Sequence, residues 1–225
     1  VYSESLFLLL TLSSFYLARK GNFWMAGIFA FFASYTRAVG LVLWVSLAIE
    51  YFSQHRITLK NILNKKILFL LIPPLGSLIY LKFLSINTSN FLDFLPSIPQ
   101  KLVLLHQVFF RYGRMILFMD HTSPLFVVIL TEFLVGLLAL LVIIFSHKTL
   151  RLSYWSYLTI SYLLPTLWGS FSGFPRYMLV VFPLFIFLGT WLEKSHPYYK
   201  YFYFFLSTIL FVSNLFLFVQ NIFVG

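Results

Sequence analysis

The sequence predicts an all-α protein: a polytopic transmembrane bundle of about eight helical segments with one further helix lying along its outer surface. Three observations predict it. Of the 225 residues, 60% are hydrophobic and only 10% charged, with a mean hydropathy of +0.91, which no soluble globule with one ordinary core matches. The apolar residues gather in about eight stretches, most of them near the ~20 residues that cross a bilayer as helix. Nothing alternates apolar and polar over successive ~10-residue segments, as a membrane barrel would.

The predicted segments run over 5–18, 23–35, 39–52, 67–84, 125–145, 154–168, 177–192 and 201–223. The first opens on a polar island, Tyr2-Ser3-Glu4-Ser5, and stops at Arg19 and Lys20. The second and third are short, and about 13 to 14 residues give roughly 20 Å of helix against ~30 Å of hydrocarbon. Thr36 and Arg37 at their junction are therefore expected below the headgroups in a wet cavity, unless the two segments form one re-entrant excursion. The fourth leads into 86–122, the one substantial stretch that does not span. Its first half, with Asn87, Asn90, Pro96 and Pro99, reads as loop. Its second half reads as an interfacial helix, with Gln107, Arg111 and Arg114 on one face and Leu105, Phe109 and Ile116 on an apolar one. The fifth carries Glu132 about two turns inside. A second polar island, Gly173-Phe174-Pro175-Arg176-Tyr177, precedes the seventh, and Tyr198-Tyr199-Lys200-Tyr201 forms an aromatic belt before the eighth. The 225 residues form one integral-membrane domain without internal repeat.

Basic residues set the orientation. Arg19 and Lys20; Arg56, Lys60, Lys65 and Lys66; Lys148 and Arg151; and Lys194 and Lys200 fall in every second connection, which the positive-inside rule places in the cytoplasm. Glu4, Arg37, Asp120, His121 and Arg176, distant in sequence, then share the outer face. The net charge of +10 is dispersed among membrane segments and forms no nucleic-acid surface. With no cysteine there is no disulfide framework or thiol chemistry. No Gly-rich phosphate loop is present, and an outer-face site has no access to cytoplasmic nucleotide. Val1 runs almost at once into an apolar stretch without a basic leader, so further chain is expected upstream.

Arg176 and Arg37 suit a bidentate pair with phosphate or carboxylate; an interfacial anchor or a structural pair with a carboxylate such as Asp120 is the other reading. Glu4 suits sugar hydroxyls, an ion, a base or a helix cap. Arg111 and Arg114 can anchor to headgroups or meet a lipid phosphate. Glu132 needs a partner, a proton or a cavity. Asp120-His121 fits a loop and cap better than an acid/base or metal-ligand pair. Asn87-Thr88-Ser89 matches a glycosylation acceptor.

Three strings, Tyr-Ser-Glu-Ser-Leu-Phe at 2–7, Thr-Arg-Ala-Val-Gly at 36–40, and Pro-Arg-Tyr at 175–177 running into Val-Val-Phe-Pro-Leu at 180–184, resemble the PIG-V family of mannosyltransferases and its prokaryotic relatives, within the GT-C superfamily. The resemblance spans nearly the whole chain. It implies an inverting glycosyltransferase that moves a sugar, mannose in that family, from a polyprenyl-phosphate donor to a glycan, glycolipid or protein acceptor on the outer or lumenal face. Such chemistry needs a base for the acceptor hydroxyl and positive charge for the departing phosphate. Arg37 and Arg176 are the candidates for the phosphate, with Glu4, Tyr2 and Tyr177 beside them as substrate-binding candidates. The resemblance places the acidic base upstream of Val1, so no catalytic residue is assigned. No cofactor is assigned and a divalent cation stays open. Short loops favour a bacterial plasma membrane over the endoplasmic reticulum. The rival from another class is a transporter or flippase that binds lipid-linked sugars without transforming them. A structural subunit, whose arginines would point at protein partners, is the third reading.

Overall fold

A computed structural model describes residues 3–55, 69–87, 103–121, 123–167 and 169–219. All regular structure among the described residues is helical. In chain order the helices are α1 (Glu4–Arg19), α2 (Phe23–Thr36), a 3-10 turn (Ala38–Leu41), α3 (Val42–Gln54), α4 (Ile72–Asn87), α5 (Leu105–Phe118), α6 (Pro124–Ser146), α7 (Leu152–Thr166), α8 (Phe174–Leu179), α9 (Phe182–Lys194) and α10 (Pro197–Val219). By length and hydropathy α6 can cross a bilayer: Leu125–Ser146 is 22 residues with a mean hydropathy of 3.0. Phe23–Thr36, Val39–Gln54 and Phe69–Phe83 are apolar but shorter.

The N-terminal helices pack as a hairpin because small residues line their contact. The Asn22 side chain caps α2, its Oδ1 accepting from the Met25 N–H at 3.3 Å. Ala26, Ala30 and Ala33 on α2 are fully buried, which lets α1 and α4 approach its two sides closely. Ser14 of α1 donates to the Ala26 carbonyl at 2.9 Å across the contact.

The third predicted segment starts differently from expectation. Arg37 is extended (φ −151°, ψ 138°) and ends α2, after which Ala38–Leu41 makes a 3-10 turn before α3. Gly40 permits this turn to lie against α2: a Cβ there would stand 2.6 Å from the Ser34 nitrogen and closer still to its Cα. The junction thus becomes a tight corner that presents Arg37.

The seventh predicted segment, 177–192, is not one helix. It is divided between α8 and α9 at Val180 and Val181, where Val181 leaves helical geometry (φ −90°, ψ 78°). Pro183 explains the break, since it has no N–H to donate to Leu179 and its ring would clash with that carbonyl. The stretch around Arg37 and this break are the two corners from which the candidate site is built. The eighth segment begins earlier than expected, at Pro197, and its end beyond 219 lies outside the described residues, as do Arg56, Lys60, Lys65, Lys66, Asn90, Pro96, Pro99, Thr88 and Ser89.

Aromatic contacts knit the bundle. Phe15 of α1 meets Tyr154 and Tyr157 of α7 and Phe182 of α9 at centroid distances of 5.2 to 5.5 Å. Phe171, between α7 and α8, packs against Phe109 and Tyr112 of α5 and Phe174 of α8 at 5.1 to 5.2 Å. Offset and edge-on pairs of this kind add to simple area burial. The second half of 86–122 is helical as expected, forming α5, whose buried residues are Val108 and Tyr112, while Phe110, Leu117 and Phe118 are exposed.

Candidate functional site

The three polar strings meet in space. Glu4 opens α1, Arg37 fills the corner after α2, and Arg176 lies in the first turn of α8. The Arg176 Nε donates to Glu4 Oε1 across 172 residues of sequence. Arg37 Nη1 stands 3.2 Å from the same oxygen, with an ion contact but no hydrogen-bond geometry. The Arg37 guanidinium also lies over the Tyr177 ring, 5.4 Å from its centroid, a cation–π arrangement. Two cations and one carboxylate leave one net positive charge. The Glu4 and Arg37 side chains are 17% and 14% exposed and that of Arg176 34%, so the charge is only partly shielded from solvent.

The cluster is not saturated. Glu4 Oε2 and Arg37 Nη1 are buried without a hydrogen-bond partner among the described residues. Beneath Arg37 a cleft of about 10 Å³, lined by Phe7, Ser161 and Tyr177 among others, is at the lower limit for one water molecule. The hydroxyls of Thr11, Ser34, Tyr157, Ser161 and Tyr162 are buried in the bundle, with Thr11 and Ser161 beside the Tyr157 hydroxyl. Polar groups in such number beside an arginine are unusual for a purely apolar bundle core.

Arg176 also faces a groove of about 400 Å³ between α6, α8, α9 and α10. Its walls include Val128, Val135, Leu138, Leu179, Leu184, Phe185, Leu188, Leu210 and Phe211. Thr131, Glu132, Ser207 and Asn214 supply a few polar atoms. From Val128 to Leu138 the groove follows ten residues of α6, about 15 Å at 1.5 Å per residue, half the ~30 Å hydrocarbon core.

A second network holds the polypeptide leading to Arg176. Tyr112 donates its hydroxyl to Glu132 Oε2 at 2.8 Å and accepts from the Phe171 N–H at 3.1 Å. Glu132 Oε1 accepts from the Gly173 N–H at 2.9 Å. Burial pushes the Tyr112 phenol up to about 12, so it remains a neutral donor. A third cluster marks the opposite end of the bundle, where Glu50 of α3 pairs with Arg151 at 3.0 Å, accepts from Ser153 and receives Gln54 at 2.8 Å.

The sequence candidates therefore divide. Glu4, Arg37, Arg176 and Tyr177 come together; Tyr2 lies outside the described residues. Arg176 pairs with a carboxylate, that of Glu4. Ser3 occupies the N-cap of α1, and Glu4, in the first turn of that helix, reaches the arginines with its side chain. Arg111, exposed on α5, donates one N–H to the Gly169 carbonyl at 3.1 Å. Arg114 is exposed on α5. Asp120 and His121 are exposed in the α5–α6 turn, with the His121 ring 4.7 Å from Phe126. Among the described residues no three His, Asp or Glu side chains converge as metal ligands. One carboxylate flanked by two guanidiniums is a donor set suited to an anion.

Two participants escaped the sequence reading. Tyr112 shares the apolar stripe of α5 with Val108 and Phe109, and its signal was a hydroxyl on a face that would otherwise pack dry. Glu50 is a lone carboxylate within an apolar segment, the same signal that drew attention to Glu132. Comparison of the chain with models of known families, with curated proteins and with solved structures finds no match in any of the three.

Proposed function

We propose that the chain is the multispanning membrane portion of a glycosyltransferase that moves a sugar, mannose by its resemblance to PIG-V, from a polyprenyl-phosphate donor to an acceptor on the outer face, with inversion. The observation that carries this reading is the meeting of Arg37 and Arg176 on one half-buried carboxylate beside a lipid-sized groove. Neither half alone would do so. Two guanidiniums can bind a phosphate and stabilise the charge that grows on it as the sugar leaves. The groove into which Arg176 looks can receive an apolar chain over the depth of one leaflet, so phosphate and lipid would be bound as one molecule.

In this reading α6 spans the bilayer and the shorter apolar helices fill the bundle with their inner ends in the cytoplasm. The site lies at the outer end, and the enzyme belongs to a plasma membrane, or to the endoplasmic reticulum in a eukaryote. Glu4 does not fill the role of base, because both guanidiniums compete with a substrate hydroxyl for its carboxylate. The base remains unassigned.

The test uses the full-length protein in liposomes with a polyprenyl-phosphate-linked mannose. Wild type is expected to transfer mannose, and Arg37→Ala or Arg176→Ala to slow transfer about 10²–10³-fold at equal expression, the usual effect of removing one group that stabilises transition-state charge. Undiminished transfer by both variants would remove the arginines from the mechanism. Binding of the donor without any transfer would move the assignment to a carrier of lipid-linked sugars.

A further inference from the structure

We propose that Tyr112 and Glu132 are positioning residues for Arg176, forming a latch that ties the outer helix α5 to the anion site; this rests on the reading of Arg176 as a phosphate-binding group. The segment that must place Arg176 is short, and its own bonds are local, from the Ser172 N–H to Ser170 Oγ and from the Phe174 N–H to the Phe171 carbonyl, each 2.9 Å. Helix α8 has only six residues, it is followed by the break at Val180 and Val181, and it is preceded by a turn with Gly169 at φ +83° and Gly173 at φ +69°. Left-handed backbone at two positions, which glycine alone adopts readily, lets the turn fold back tightly but supplies no rigidity.

Rigidity comes from side chains on other helices. The Phe171 and Gly173 N–H groups donate to the Tyr112 hydroxyl and to Glu132 Oε1 respectively, and Arg111 donates to the Gly169 carbonyl. The Phe171 ring is held between Phe109, Tyr112 and Phe174. Tyr112 and Glu132 are 3% and 5% exposed, so these bonds are shielded from competing water. Gly173 is the N-cap residue of α8, three positions before Arg176, and Glu132 lines the same groove as Arg176. A carboxylate needing any partner inside a bundle could have taken one anywhere along α6. Here one oxygen takes the Gly173 N–H directly, and the other takes the Tyr112 hydroxyl, which itself accepts from the Phe171 N–H of the same turn.

The experiment is a double-mutant cycle on the full-length protein in nanodiscs, with farnesyl phosphate as the binding probe. In the wild-type background Tyr112→Phe, which keeps the ring and removes only the hydroxyl, is expected to weaken binding about tenfold, and Glu132→Gln less than Glu132→Ala, because the amide retains an acceptor for Gly173. In an Arg176→Ala background Tyr112→Phe is expected to cost nothing further. A general loss of folding would instead add to the Arg176 effect, and additivity overturns the proposal. Hydrogen exchange read by mass spectrometry on the same samples supplies an arm that needs no ligand: Tyr112→Phe is expected to speed exchange over 169–177 while leaving α1 and α2 unchanged. Unaltered exchange over 169–177 overturns the latch. Absence of probe binding by wild type would bring down the phosphate assignment, and the exchange arm would still decide whether Tyr112 restrains this turn.

Discussion

The Glu50–Arg151 pair makes an asymmetric prediction about stability. Glu50 is 1% exposed and Arg151 50% exposed, so the two charges differ in what they lose when parted. Replacing Arg151 by Ala leaves a carboxylate buried at the contact of α3 with α7, with only the neutral donors Ser153 and Gln54. Parting a fully buried ion pair costs about 3–5 kcal/mol; with one partner half in solvent and two neutral donors retained, about 2–3 kcal/mol is expected. Glu50→Gln removes the charge but keeps an acceptor, and Arg151 can turn outward to water or headgroups. Its cost should be about 1 kcal/mol. The assay is reversible unfolding in mixed micelles, followed by tryptophan fluorescence, for wild type and both variants. Arg151→Ala must be the more damaging of the two. Equal costs, or a larger one for Glu50→Gln, would refute the argument that the buried member of the pair sets its energetics. Glu50 lies thirteen residues after Arg37, about 20 Å of chain rise in helix, so Glu50→Gln should leave phosphate-lipid binding unchanged in the same preparation.

Gly40, Gly113 and Glu4 each carry a further expected outcome. Gly40→Ala should abolish lipid-phosphate binding and lower the melting temperature, because the new methyl group collides with the Ser34 backbone and displaces the corner bearing Arg37; Gly113→Ala, in an α5 position with nothing within 4 Å of the new Cβ, should stabilise by about 0.5–1 kcal/mol in thermal unfolding. Glu4→Gln should tighten binding of farnesyl phosphate several-fold and make it more sensitive to salt, because it removes the anion competing for both guanidiniums; weaker binding in titration would show that the carboxylate organises the arginines instead.

Helix content and most helix limits were legible in the sequence because they depend on local chemistry. The predicted 5–18 and 125–145 appear as Glu4–Arg19 and Pro124–Ser146, and of the predicted stripe on α5 Leu105 and Phe109 pack against the core beside the buried Val108 and Tyr112, while Ile116 does not. Arg37 and Arg176 could be singled out because a guanidinium beside apolar segments is costly wherever it falls. The break within 177–192 was also legible in principle, since Pro183 carries it. Partnership was not. That Glu4 takes both arginines, that Arg111 turns to Gly169, that Glu132 meets Tyr112 and Gly173, and that Glu50 finds Arg151 all depend on contacts spanning 20 to 172 residues. Along one helix a charged residue shows only that it needs a partner. Which partner it receives is decided when the corner after Thr36 and the turn before Phe174 bring distant backbone to the same point, and only the packed bundle determines that.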